Sequence, residues 1–431
     1  MEEFKKKLHN FLPKKVFLSI VTLVSGSAIA QFIGILFAPV LSRIYTPEDF
    51  GIWGTLLATI SIINVVGTLK YEMAIVLEKN NHKADHIQFL CIIVLFIITI
   101  LSAITFCLPV FWIHILPNNE LLIKVLPFAS MIIFCTGLYN IFTFRLNREK
   151  SYKRIASAEI IWKSSTIIGQ IIIGYITASW LGLAIGHLTG LLLSIFILLP
   201  EVMNRTNASI SMHSLSEVTK KYKRFPLFSA PQNFISSISL NIPVLLLGYF
   251  FDVQIVGYYF LAYRIMILPI RFIGAAIRRV FLKQGSEYIE KPRLFYQLYK
   301  NITLILIFII IFPTVIIFIF GPYIFTFIFG NEWNQAGEFA RWIGLFLAMS
   351  FVNPPTTVTL NIIGLQSRLL FFECIQALVR ILSLVIVPIV SYDANLSIVS
   401  YSICGMICNI ALIFYVWVLL KKESLLNEFD N

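Results

Sequence analysis

The sequence predicts an all-α polytopic membrane protein, with about twelve transmembrane helices in two pseudo-repeated six-helix lobes around a central cavity. Three observations lead to this prediction. Hydrophobic residues make up 58% of the 431-residue chain and charged residues 13%, whereas soluble domains are about 45–50% apolar and about 25% charged. Apolar runs long enough to cross a bilayer recur along the whole chain. Several motifs also recur, in the same order, in the two halves.

A transmembrane helix needs about 20 predominantly apolar residues to cross about 30 Å of hydrocarbon. The first half of the chain contains six such segments, at 16–40, 50–69, 87–116, 121–144, 155–178 and 181–203. The second half contains six more, at 225–250, 255–277, 301–329, 336–361, 369–390 and 396–420. The segments 225–250 and 336–361 are the most polar. Asn353-Pro354-Pro355 predicts an irregular turn inside the second of these.

The distribution of basic residues predicts the orientation in the membrane. If the N-terminus is cytoplasmic, 27 of the 34 Lys and Arg residues fall in inward segments, and the outward loops contain only Arg43. The positive-inside rule therefore places both termini in the cytoplasm. The net charge of +12 is explained mostly by these basic cytoplasmic segments. It therefore does not indicate nucleic-acid binding, and we expect no nucleic-acid partner.

The two halves share a plan. A shift of 206 residues places Gly51 on Gly257 and Trp53 on Tyr259. Because six spans per half is an even number, both halves begin in the cytoplasm, which predicts a parallel repeat with the transport path between the lobes. The expected organisation is an N-terminal lobe, a cytoplasmic basic linker and a C-terminal lobe, at 1–203, 204–224 and 225–431.

Catalytic chemistry is not indicated. The sequence contains no GxxxxGK[ST], HExxH or GxSxG motif, which argues against ATP hydrolysis, zinc proteolysis and an α/β-hydrolase site. All six cysteines fall within predicted spans. Cys404 and Cys408 share a helix face, but no His or carboxylate at ligand spacing joins them. We therefore predict no catalytic residues, no metal and no cofactor, and a protein that is not an enzyme.

Ionisable residues inside the spans are the main candidates for a site. Each cation costs roughly 2.5–3.5 kcal/mol at the bilayer centre, so several must be paired, snorkelling or facing a wet cavity. The six intramembrane cations are Lys124, Lys163, Arg264, Arg271, Arg341 and Arg380. Arg264 is central in a span without acidic residues, which favours a cavity role, with an interhelical pair as the alternative. Lys163 and Arg341 each have a Glu within one helical turn.

A polar stripe follows the seventh span. Asn233, Ser237 and Asn241 recur every four residues and share one helix face. At the 206 shift, Ser27 and Gln31 fall on Asn233 and Ser237. The stripe is either polar glue between helices or a hydrophilic cavity wall suited to hydroxyl-rich sugars.

Several motifs carry a family resemblance. The run LSRIYTPEDFGIWGTLLATISIINVVGTLKYEMAIVLEKN resembles the beginning of bacterial polysaccharide (O-antigen) flippases of the multidrug/oligosaccharidyl-lipid/polysaccharide exporter superfamily. The runs YKRFPLFSAPQNFISSIS, VGYYFLAYRIMILPI and FGNEWNQAGEFAR resemble motifs of the second half of these proteins.

The resemblance implies a flippase in the bacterial inner membrane. Its partner would be a polyprenyl-diphosphate-linked oligosaccharide, carried from the cytoplasmic to the periplasmic leaflet by alternating access, with membrane lipids around it. Other glycan-assembly proteins are further candidate partners. The candidate substrate-binding residues are Arg264, Arg271, Asn233, Ser237, Asn241, Ser27, Gln31, Lys163 and Arg380.

Two alternatives remain open at this stage. A multidrug/cation antiporter of the same fold should carry intramembrane carboxylates, whereas cations predominate here. A membrane enzyme of glycan assembly should carry a substantial periplasmic loop, whereas the predicted outward loops are short.

Overall fold

The computed structural model describes residues 28–108, 120–204 and 212–429, and every regular element in these ranges is helical. The prediction of an all-α fold is confirmed. Within the described ranges, 11 helical segments are long and apolar enough to cross a membrane. Each overlaps one of the predicted spans two to twelve, including both polar ones, although several helices begin or end outside the predicted bounds. The first predicted span, 16–40, lies partly outside the described residues, which include a helix at 28–36.

Contacts divide the chain into two compact units, Met1–Tyr249 and Phe250–Asn431. A π-helical turn at Phe225–Ser229 precedes the last helix of the first unit. The described helices of this unit are α1 (28–36), α2 (Ala38–Ile44), α3 (Pro47–Val66), α4 (Glu72–Leu77), α5 (Asn81–Cys107), α6 (Glu120–Arg148), α7 (Tyr152–Thr177), α8 (Trp180–Met203), α9 (Met212–Lys221) and α10 (Ala230–Phe250).

The second unit begins with two helices that are longer than a bilayer requires. Its α-helices are α11 (Val253–Tyr288), α12 (Pro292–Phe329), α13 (Asn334–Val352), α14 (Pro354–Ile362), α15 (Gln366–Ser391) and α16 (Ala394–Phe429). A short 3₁₀ turn at Asn331–Trp333 leads into α13. The expected lobes, 1–203 and 225–431, and the linker between them stay a prediction.

The beginning of α3 explains part of the motif LSRIYTPEDFG. The Thr46 hydroxyl accepts a hydrogen bond from the Asp49 N–H at 3.2 Å, and the Asp49 carboxylate accepts one from the Thr46 N–H at 3.0 Å. This reciprocal pair is a capping box, with Pro47 at the first helical position, where its missing N–H costs nothing. The Thr-Pro-Glu-Asp sequence is therefore a helix-start signal.

Tyr45 fixes the chain just before this helix. Its hydroxyl donates a hydrogen bond of 2.5 Å to the Gln170 carbonyl of α7. The ring fits between two glycines: a Cβ added to Gly174 or Gly182 would lie 2.5 or 2.2 Å from the Tyr45 hydroxyl oxygen. Only glycine at both positions leaves room for the phenol, so α2 and α3 are held against α7 and α8.

The predicted turn inside span ten is present. Asn353 separates α13 from α14, and Pro354 and Pro355 follow it without N–H donors. The Asn353 amide donates to the Asn409 side-chain oxygen of α16. The Asn409 amide in turn donates to the Gly405 carbonyl at 2.8 Å. Broken helices are tolerated at membrane depth when they are buried in protein, and this amide pair joins the break to α16.

Candidate substrate-binding surfaces

The polar stripe of α10 is present in the first unit. Asn233 is exposed, Asn241 is partly buried, and Ser237 between them is buried. The Ser237 hydroxyl donates a hydrogen bond to the Ser61 carbonyl of α3 at 3.2 Å. Ser237 therefore joins α10 to α3, which is the helix-packing role that Ser residues take in membranes.

The two asparagines differ from Ser237. The Asn233 amide donates to the Ser229 carbonyl, and the Asn241 amide to the Ser237 carbonyl, each at 2.8 Å. Each bond runs to the carbonyl four residues earlier, so the side-chain oxygens remain available as acceptors among the residues that the structure describes. An amide oxygen of this kind can accept a hydrogen bond from a sugar hydroxyl. Asn233, which is exposed, is the more accessible of the two.

The corresponding positions of the first span are only partly described. Ser27 lies outside the described residues. The side chain of Lys124, a cation of the fourth predicted span, is also outside the described part of the structure. Gln31 lies in α1 and is partly buried. The predicted correspondence of these residues with the α10 stripe stays a prediction.

Arg264 of α11 is an exposed cation near the middle of the predicted span 255–277. Its guanidinium carbon lies 5.9 Å from the centre of the Phe260 ring, one turn earlier. Within the described ranges, it makes no hydrogen bond and no ion pair. Arg341 shows the contrast, because it pairs with Glu338 at 3.0 Å and donates to the Ile319 carbonyl at 3.1 Å. Arg264 is therefore the intramembrane cation with the clearest capacity to bind an anion.

Arg271 lies two turns further along α11. A spacing of seven residues returns to nearly the same helix face after about 10 Å. Arg271 is exposed and, like Arg264, has no ion-pair partner in the part of the chain that the structure describes. Arg278 continues the row after seven more residues, but it interacts electrostatically with Glu373 of α15. Of the three arginines in this row, Arg264 and Arg271 thus lack an acidic partner among the described residues.

Arg380 of α15 is enclosed by aromatic rings. Its guanidinium carbon lies 4.3 Å from the centre of the Phe346 ring and 4.5 Å from that of Tyr401. It also donates a hydrogen bond to the Tyr401 hydroxyl. Tyr259 and Tyr263 of α11, which stack on each other at 5.8 Å, complete the surroundings. Cation–π contacts of this kind stabilise a desolvated guanidinium by about 2 kcal/mol or more. Arg380 is thus held by several helices, and its role as a substrate ligand stays a prediction.

Lys163 lies at a second aromatic cluster, in the first unit. Its amine is 4.5 Å from the centre of the Trp162 ring. The Trp162 ring also contacts Tyr139 at 4.8 Å and His187 at 5.7 Å. His187 packs edge-on against Trp53 at 5.1 Å. These rings join α3, α6, α7 and α8, so Lys163 lies beside a packed aromatic cluster.

The sequence reasoning missed these aromatic partners. Phe346, Tyr401 and Tyr259 come from three different helices, and no spacing in the sequence relates them to Arg380. Tyr259 and Tyr263 at four-residue spacing gave the only available signal. No cluster of three or more His, Cys, Asp or Glu side chains that could hold a metal ion occurs among the described residues.

The fold is that of solved transporters. It matches a structure titled lipid II flippase MurJ, inward closed conformation, with a TM-score of 0.71 and 16% identity over 95% of this chain and 91% of that one. It also matches a multidrug resistance MATE family transporter of the MOP superfamily in an inward-facing conformation, with a TM-score of 0.68 and 17% identity over 93% and 96% of the two chains. A MOP superfamily transporter from Pyrococcus furiosus matches with a TM-score of 0.57 and 14% identity over 94% and 95%.

Sequence comparison identifies the family. No curated protein matches the chain significantly. The model of a polysaccharide biosynthesis protein family, however, matches residues 40–338, which is more than two thirds of the chain. The matched region extends from α2 into α13 and includes the α10 stripe and both uncompensated arginines of α11. The chain is therefore a multi-pass membrane protein that belongs to the polysaccharide biosynthesis protein family.

Proposed function

We propose that this protein is a flippase that moves a polyprenyl-diphosphate-linked oligosaccharide from the cytoplasmic to the periplasmic leaflet by alternating access. The cargo would serve the synthesis of a surface polysaccharide such as O-antigen or capsule. The family membership and the transporter fold support this proposal. The observation that carries it is the pair of exposed, uncompensated arginines on one face of α11.

A diphosphate is the anion that such arginines suit best. Guanidinium groups bind phosphate oxygens through short, charge-assisted hydrogen bonds. Arg264 and Arg271 lie about 10 Å apart along the helix by the α-helical rise, so a diphosphate could pass from one to the other. Arg380, in the same unit, would add positive potential, which is strong in a medium of low dielectric constant.

The α10 stripe suits the glycan part of the cargo. Asn233 and Asn241 offer side-chain oxygens to sugar hydroxyls, and Ser237 keeps their helix in place against α3. Gln31 and Ser27 would extend this polar surface if the internal repeat holds. In this proposal both termini are cytoplasmic, the membrane is the bacterial inner membrane, and the basic segment 204–224 links the two lobes along the chain.

The alternatives are less well supported. A cation antiporter shares the fold, but its cargo would be repelled by the uncompensated arginines of α11. A glycan-assembly enzyme would need catalytic groups, and the family and fold are those of transporters.

Complementation of a deletion strain tests the proposal. Deletion should abolish or strongly reduce the surface polysaccharide, and the wild-type gene should restore it. Loss of one charge-assisted contact costs about 1.5–3 kcal/mol, which is roughly a 10- to 100-fold loss of affinity. We therefore expect Arg264→Ala to reduce surface polysaccharide by roughly tenfold or more, and Asn233→Ala by a smaller factor.

Arg279→Ala provides the matched control. Arg279 is also an exposed arginine of α11, but it lies beyond the predicted span. The Arg279→Ala variant, expressed at the wild-type level, should fully restore the surface polysaccharide of the deletion strain. A deletion strain with normal surface polysaccharide and no second copy of the gene would contradict the proposed function.

A further inference from the structure

Helix α9 is packed against the first unit, although it lies in the segment expected to be a linker. Its apolar residues Leu215 and Val218 are buried. On its polar side, Glu217 pairs with Lys83 of α5 at 2.5 Å. Lys221, the last residue of α9, pairs with Glu78 at 2.5 Å. Apolar packing and two ion pairs therefore attach α9 to the loop before α5 and to α5 itself.

Glu78 is the centre of this attachment. Its side chain is buried, and it accepts hydrogen bonds from Lys221, from the Tyr222 hydroxyl at 3.0 Å and from the Asn80 N–H at 3.0 Å. Burial alone would raise the pKa of Glu78, but these bonds and the Lys221 charge lower it to about 2. Glu78 is thus a buried, ionised carboxylate whose partners come largely from the linker.

The loop that carries Glu78 is itself fixed. Arg148 of α6 donates to the Glu78 carbonyl and to the Lys79 carbonyl, each at 3.1 Å. Next to it, the buried Arg145 pairs with the buried Asp85 of α5 at 2.8 Å. Helices α5 and α6 therefore form a rigid anchor for the end of α9.

The segment after α9 is much less constrained. The π-helical turn at Phe225–Ser229 has no buried residue. Pro226 and Pro231 cannot donate backbone hydrogen bonds, and the Leu227 N–H lies 3.4 Å from the Lys223 carbonyl. Short π-helical segments are frequent at functional sites. This turn joins the anchored α9 to α10, the helix of the candidate glycan-binding stripe.

We propose that α9 is a latch that stays closed on the first unit throughout the transport cycle, and that the turn at Phe225–Ser229 is the hinge from which α10 moves. Opening the latch would break the two hydrogen bonds that Lys221 and Tyr222 donate to the Glu78 carboxylate and would expose the buried Leu215 and Val218 of α9. The turn itself contains no buried side chain, so the contact that a movement of α10 must break is the hydrogen bond between Ser237 and the Ser61 carbonyl. The motion in this proposal rests on the proposed transport function, whereas the latch itself can be tested without transport.

Hydrogen–deuterium exchange of the purified full chain in lipid nanodiscs tests the latch. In the wild-type protein, we expect peptides from α9 to exchange at least tenfold more slowly than peptides covering the turn. Glu78→Gln should bring the α9 peptides close to the rate of the turn. Glu290→Gln, which neutralises an exposed carboxylate outside the latch, should leave the α9 rate unchanged.

A charge reversal keeps the test valid if Glu78→Gln folds poorly. Lys83→Glu should speed the exchange of α9, and the double variant Lys83→Glu/Glu217→Lys should restore its protection. Wild-type α9 peptides that exchange as fast as the turn would overturn the latch. So would a Glu78→Gln protein that folds and keeps full α9 protection.

Complementation then tests the role of the latch in the cycle. Glu78→Gln should reduce surface polysaccharide several-fold, while Glu290→Gln complements fully. If a variant whose α9 is released restores the surface polysaccharide fully, transport does not need the latch, and the proposed role of the latch in the cycle is overturned. A wild-type gene that fails to restore polysaccharide would instead contradict the proposed function, and the exchange results would still stand.

Discussion

Tyr45 shows how one side chain can fix the geometry of several helices. The residue follows α2 directly, precedes the capping box of α3, and is almost completely buried. Its hydroxyl reaches the Gln170 carbonyl only because Gly174 and Gly182 have no side chain. Helices in a membrane associate through close packing and interhelical hydrogen bonds, and small residues at the interface permit the close approach. The Tyr45 contact therefore orders the entry to α3.

We expect Gly182→Ala to destabilise the protein by about 1–3 kcal/mol, the usual cost of overpacking a filled interior. The added methyl would lie 2.2 Å from the Tyr45 hydroxyl oxygen. Tyr45→Phe alone removes one buried hydrogen bond and should cost about 1 kcal/mol. Because it also removes the clashing oxygen, the double variant should lose less stability than the sum of the two single variants. Thermal unfolding in one detergent measures all three; additive losses would show that the two positions are not coupled.

At this scale the sequence could predict local chemistry but not distant partners. Thr46 and Asp49 are three residues apart, so the capping box can be read directly from their spacing. Glu338 and Arg341 are equally close, and their predicted pair is present. The partners of Tyr45 and Arg380 lie on other helices, and only the packing of those helices brings them together.

At the scale of elements, α9 and α11 illustrate two uses of charge. In α9 the ion pairs are internal to the first unit and hold a helix in place. In α11 the arginines of the membrane span have no acidic partner among the described residues, and this lack of compensation points to a mobile anion. The sequence indicated the second case, because a span without acidic residues is visible in the composition. It did not indicate the first, since Glu78 and Lys221 are far apart along the chain.

The latch should respond to acid in a defined range. The pKa of Glu78 is lowered from the ordinary value of 4.5 to about 2 in the folded protein. A lowered pKa means that the stabilisation is fully present above the unfolded-state value and is lost as the pH falls towards the folded-state value. The difference in melting temperature between the wild type and Glu78→Gln should therefore be constant above about pH 5 and shrink between about pH 4.5 and pH 2. A difference that changes between pH 6 and pH 8 would point to another group.

At the scale of the molecule, hydrophobicity predicts where the chain crosses the membrane. The bilayer imposes this pattern, because every backbone polar group within it must be satisfied by helical hydrogen bonds. For that reason even the broken span around Asn353 and the polar span of α10 are present as predicted. How helices group is not imposed in the same way. The contact units divide at Tyr249, whereas the internal repeat places the division before α10. Helix α10 therefore packs with the first unit, although its sequence corresponds to the beginning of the second half.

The orientation of the whole molecule gives the last prediction. Ser391 and Ser286 are both exposed, and their hydroxyls donate to the carbonyl four residues earlier, at 2.9 and 2.7 Å. Cysteine replaces serine at either site with the same small change of side chain. The positive-inside rule places Ser391 in the periplasm and Ser286 in the cytoplasm. In a background without the native cysteines, a membrane-impermeant maleimide applied to cells with a permeable outer membrane should label Ser391→Cys and not Ser286→Cys, and both should react after lysis. Labelling of Ser286→Cys alone would invert the topology, and with it the direction in which the cargo is proposed to move.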